Sequence, residues 1–171
     1  GAHYNLAQVL TAEGDAEGAL QHFREAARLF PGAPTFWRDL GRAEAQLGRW
    51  EAAIEAYGKA TEDEDCHADA KQERALAREK AGRAAEAEAA WRKLLAAAPL
   101  MPMPRNHLVA ILAERGDLAE AEQVAAAGVA AAPGHADFHH NLCTVRSIRG
   151  DVKGALAAFR RALFLEPSRV E

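Results

Sequence analysis

Gly14, Gly48, Gly82, Gly116 and Gly150 stand 34 residues apart at every step. Nothing else in the chain restricts its fold so strongly. Pro31, Pro99, Pro133 and Pro167 keep the same step, with Asp65 in the one vacant place. Ala19, Ala53, Ala87, Ala121 and Ala155 keep it too, as do the bulky Phe23, Tyr57, Trp91 and Phe159, replaced only at Ala125. Columns that hold one period without insertion mark stacked repeats, in which no unit buries its apolar face alone.

Within each period the pattern is helical. Asp137 precedes the apolar set Phe138, Leu142, Cys143 and Val145, and Gly150-Asp151 breaks the run. The second run, Ala155, Leu156, Phe159, Ala162 and Leu163, is spaced for one helix face until Pro167 stops it. Each repeat therefore predicts two helices of about a dozen residues with a short turn between them. Alanine, roughly a quarter of the chain, favours helices that pack closely. The small Ala7, Gly41, Ala75 and Cys143 let paired helices approach, and the bulky column fills the space opposite; Cys143 is expected to be buried.

These columns resemble the tetratricopeptide repeat (TPR) family. With its first position at Pro34, Trp37, Leu40 and Gly41 fall at positions 4, 7 and 8, and Ala53, Tyr57 and Ala60 at 20, 24 and 27. The resemblance implies an all-α fold, a right-handed α-solenoid of about ten helices in stacked helix-turn-helix hairpins. It implies a single array over 1–171, with repeats near 1–33, 34–67, 68–101, 102–135 and 136–169 and a truncated sixth opening at 170–171.

A net charge of −4 argues against general nucleic-acid binding, which needs a basic face. No apolar run is long enough to span a membrane and no leader pattern opens the chain, so a cytoplasmic location is expected. Two cysteines, Cys66 and Cys143, fit a reducing compartment and lie three repeats apart, too far for a disulfide. Richness in alanine and arginine suggests a bacterial coding sequence of high GC content.

The pattern bends in three places. Repeat three puts Lys71, Arg74 and Arg78 at positions 4, 7 and 11, where its siblings mostly place apolar residues. Either Glu44, at position 11 of repeat two, meets Arg74 or Arg78 as a partly buried ion pair, or the helix tilts outward and its long side chains reach water. Either way this junction is expected to be the weakest seam. The acidic stretch from Thr61 to Asp65 opposes the helix dipole and is expected to fray the preceding helix into a solvated loop. Leu100-Met101-Pro102-Met103-Pro104 forms the third irregularity, with Pro104 suited to a first helical turn.

Candidate chemistry is sparse. His135, His139 and Cys143 share a helix face and could in principle ligate zinc. They also span two turns, and His139 occupies the family's tryptophan position while Cys143 occupies the small packing position, so packing is the reading adopted. No nucleophile–base pair, phosphate-cradling loop or carboxylate pair stands out, so neither catalysis, metal nor cofactor is expected.

Binding remains. The resemblance implies that first helices line a concave groove, which here presents Tyr4, Asn5, Gln8, Arg38, Asp39, Arg42, Gln72, Glu73 and Leu76. It continues with Asn106, His107, His140, Asn141 and Thr144. Arg38 and Arg42 are the preferred grip for a carboxylate, or else pair with Asp39 or Glu73. Acidic residues at Asp39, Asp69 and Glu73 disfavour the dicarboxylate clamp of chaperone-binding relatives, and Asp39, Glu73 and His107 break the asparagine ladder of sugar-transferase relatives. The expected function is a non-catalytic scaffold that holds a peptide or protein segment in the groove. The alternative is a substrate-docking arm of a larger glycosyltransferase- or sulfotransferase-type enzyme. No polar capping helix follows Leu163, Phe164 and Leu165, so the C-terminal end is expected to self-associate.

Overall fold

The computed structural model describes residues 1–61 and 68–167. The acidic run beyond Thr61, Cys66 and residues 170–171 lie outside the described residues, and with them the expectations of a frayed acidic loop, a distant cysteine pair and a sixth repeat. Among the described residues there are ten helices and no strand. They are α1 (Ala2–Glu13), α2 (Ala16–Leu29), α3 (Pro34–Gln46), α4 (Trp50–Ala60), α5 (Ala68–Lys80), α6 (Ala84–Ala97), α7 (Pro102–Arg115), α8 (Leu118–Ala131), α9 (Ala136–Ile148) and α10 (Val152–Leu165).

The glycine column explains the turns. All five glycines adopt the left-handed region, with φ between 71° and 89°, where an L side chain would be strained. That conformation lets the next residue's N–H reach back five residues, as Asp15 to Leu10 O (2.9 Å) and Asp117 to Leu112 O (2.9 Å). Starts are equally local. Asp15 and Asp151 accept from the N–H groups of Gly18 and Gly154, and Pro34 and Pro102 open their helices without wasting a donor. Pro104 falls in the same first turn of α7, as its sequence context predicts.

The helices form two compact units, Gly1–Ala90 and Trp91–Glu171. In the first, consecutive helices pack in turn, burying Leu20 and Phe23 of α2 with Leu40 and Ala43 of α3. A second cluster joins Ile54 and Tyr57 of α4 to Ala77 of α5. In the second unit Trp91, Leu108, Leu112, Phe138 and Val145 are fully buried. Where the bulky column drops to Ala125, the small column rises to Val109, and both are buried.

One helical position makes the same bond with three chemistries. The position-4 residues Trp37, Arg105 and His139 each direct a nitrogen to the carbonyl of the column proline six residues earlier, at 2.8, 2.9 and 2.9 Å from Pro31, Pro99 and Pro133. Because a carbonyl only accepts, His139 carries its proton on Nε2. Arg105 is buried and also donates to Val124 O at 2.5 Å. Gly128 makes room for it, since a Cβ there would lie 2.6 Å from Arg105 Cδ.

Two expectations need correction. Glu44 is buried, yet it pairs with neither Arg74 nor Arg78: Arg24 of α2 reaches it at 2.7 Å and Arg49 stands 3.9 Å away. Position 11 of α3 is turned to the preceding hairpin, whose exposed arginine can extend its long stem over a buried carboxylate. Arg74 instead lies against Gly58, and Arg78 stands 3.6 Å from Glu86. Cys143 is only half-buried.

Candidate functional site

The first helices of the N-terminal unit supply the expected polar set, and its members bind one another. The Tyr4 hydroxyl, on α1, donates to Asp39 Oδ2 of α3 at 2.6 Å. The Tyr4 ring is placed by stacking on Phe36 with 4.4 Å between centroids. Arg38 Nε donates to Asp39 Oδ1 at 3.1 Å, and Arg42 stands 3.5 Å from the same oxygen. Arg42 also places Nε and its terminal nitrogen 2.7 and 2.6 Å from Glu73 Oε1 on α5. Three helices are thus tied by one mesh of two guanidinium groups and two carboxylates, its formal charges cancelling.

The two arginines are therefore engaged, not open. An incoming carboxylate would have to displace Asp39 or Glu73. Beside the mesh lies a cavity of about 210 Å³, lined by Gln8, Thr11, Phe23, Asp39, Arg42, Ala43 and Gln46. Phe23 and Ala43 give it an apolar floor, and Thr11 spends its hydroxyl on Ala7 O. The exposed amides of Gln8 and Gln46 stand at the rim with both donors and acceptors. Gln46 and Thr11 escaped the sequence reading, although they occupy positions 13 and 12, which commonly face the groove in this pattern. Asn5 and Leu76 are exposed, whereas Gln72 is buried and offers little surface.

Burial, then the bond to Asp39, pushes the Tyr4 phenol from its ordinary value near 10 up to about 12. Burial also pushes Tyr57 upward. These are the chain's two tyrosines. A raised phenol pKa stabilises the fold fully below the unfolded value, and that contribution is lost as pH climbs through the folded one. An ultraviolet titration of the native protein should therefore show almost no phenolate at pH 10, where an unfolded chain is half ionised. Half-ionisation there in the folded state would refute the Tyr4–Asp39 arrangement.

In the C-terminal unit, Asn141 donates to Asn106 Oδ1 at 2.6 Å and is buried. His107 lies flat on Trp91, with 4.5 Å between centroids. Thr144 donates to the carbonyl of His140, which is exposed. The histidine cluster does not converge. His135 stacks on Phe138, and His139 has its Nε2 committed to Pro133. Among the described residues no group of three His, Cys, Asp or Glu could hold a metal ion.

A sequence profile described as tetratricopeptide repeat matches residues 4–69 and 73–136. The chain belongs to this family. No curated protein matches it. Among solved structures it is similar to YrrB, described as a TPR protein with an unusual peptide-binding site, at 22% identity over 98% of this chain and 86% of that one, with a TM-score of 0.71. MamA from Desulfovibrio magneticus RS-1 aligns at 22% identity over 99% and 96%, with a TM-score of 0.80. PilF of Pseudomonas aeruginosa aligns at 17% identity over 99% and 77%, with a TM-score of 0.73. At such identities the likeness is one of fold. Among the described residues no helix of this TPR chain is long and apolar enough to cross a membrane.

Proposed function

We propose that this TPR chain is a non-catalytic scaffold that holds an extended segment of a partner protein along the first-helix face of its N-terminal unit. Family membership and the TPR neighbours support a role in protein–protein interaction. The observation that carries the finer reading is the cavity with an apolar floor, an amide rim and a charge-balanced wall. A wall whose guanidinium groups are already neutralised gains little from a charged ligand. Amides at the rim suit the main chain of a strand-like segment, which offers one donor and one acceptor per residue. Asn106, His107, His140, Asn141 and Thr144 form a second polar set, within the C-terminal unit.

The test is a peptide library screened on the whole chain, with affinities of the enriched peptides measured by calorimetry. Replacing both rim amides (Gln8→Ala with Gln46→Ala) should weaken them about tenfold or more, at roughly 1 kcal/mol for each lost hydrogen bond. The variant Arg38→Ala with Arg42→Ala leaves Asp39 and Glu73 unbalanced and should shift the enriched set toward basic peptides. Affinities untouched by the amide replacements would move the site to another face.

A further inference from the structure

We infer that copies of this chain join end to end, α1 of one copy seating on α10 of the next. The packing inside the N-terminal unit supplies the template. Positions 21 and 24 of one repeat bury against positions 7 and 10 of the following one: Leu20 and Phe23 with Leu40 and Ala43. Ile54 and Tyr57 meet Ala77 in the same way. Leu20 and Phe23 are 1% and 4% exposed, but Leu156 and Phe159, which hold the same positions on α10, are 45% and 41% exposed. The reciprocal positions on α1 are open as well, Leu6 at 44% and Val9 at 52%. The molecule thus presents both halves of a joint that it already makes internally, on two different helices.

Charge supports the same register. Within the unit each junction is flanked by an ion pair from position 18 of one repeat to position 16 of the next, Glu17 with Arg49 (2.6 Å) and Glu51 with Arg83 (2.9 Å). At the proposed joint those positions hold Lys153 and Asp15, both exposed, with the signs exchanged and the attraction kept. Because the two surfaces differ, the contact is heterologous and does not close on itself as a symmetric dimer would.

Sedimentation or light scattering over a concentration series tests this. The wild-type mass should climb past that of a dimer. A head variant (Leu6→Glu with Val9→Glu) and a tail variant (Leu156→Glu with Phe159→Glu) should each stay monomeric. The head variant keeps a sound tail and the tail variant keeps a sound head, so the mixture should form a dimer and nothing larger. Circular dichroism checks that both fold, which their already exposed positions favour. Lys153→Glu alone should weaken association roughly two- to fivefold, and adding Asp15→Lys should restore it, since α4 does without a side-chain cap at the same position. A wild-type chain that stays monomeric at its highest soluble concentration overturns the inference. So does association that the tail variant loses and the head variant keeps, or a mixture that remains monomeric.

Discussion

Gly41→Val should destabilise the N-terminal unit by about 1–3 kcal/mol, and Tyr57→Ala added to it should cost less than Tyr57→Ala costs in the wild-type chain. A Cβ at Gly41 would lie 2.7 Å from two carbons of the Tyr57 ring, which is buried and backed by Ile54 and Ala77. The ring cannot swing away without leaving the core, so the added methyl groups force the helices apart. Tyr57→Ala by itself should cost about 3–5 kcal/mol, by the cavity it leaves. Together the two changes should cost less than their sum, because valine occupies space the ring has vacated. The chain already contains this exchange, at Val109 and Ala125, where both residues are buried. Chemical denaturation of the wild type and the three variants would measure the coupling. Strict additivity would mean that the two positions do not share one volume.

The second large effect is expected at Arg105. Its guanidinium donates to Val124 O and Pro99 O, stands 5.2 Å from the centroid of the Phe138 ring, and has a buried Nε without a hydrogen-bond partner. Burial lowers its pKa, the mark of a charge held away from water. Arg105→Ala removes both bonds and the packed stem and should cost about 2–4 kcal/mol. Arg105→Met keeps the stem and relieves the cost of burying the charge, so it should be the milder change. Denaturation midpoints in that order support a structural arginine. Equal losses would show that the bonds, not the stem, hold this corner.

Much of the fold was legible because the period does two jobs. The 34-residue glycine column marks both the register of the repeats and the places where the backbone must turn left-handed. The polar set was legible by position and not by partnership. Arg38, Asp39 and Arg42 could be placed on one face, but whether they faced a ligand or one another depended on how far side chains reach between hairpins. In retrospect the reach has a sequence trace. Tyr4–Asp39 and Asn106–Asn141 are each 35 residues apart, and Glu17–Arg49 and Glu51–Arg83 each 32. Such offsets, one either side of the period, separate bonds between neighbouring repeats from chance pairs. Glu44 was misassigned for the same reason. A column tells which way a residue points, whereas its partner Arg24 is set by the length of a flexible stem.

The shared bond from position 4 to the proline carbonyl has an experimental use. Its donors are an indole, a guanidinium and an imidazole, groups whose N–H signals fall in separate regions of a nitrogen-correlated spectrum. Three junctions of a chain built from near-copies therefore carry three different labels. Melting could be followed at each one in a single unmodified sample, and the order in which the signals vanish would show where the stack comes undone first.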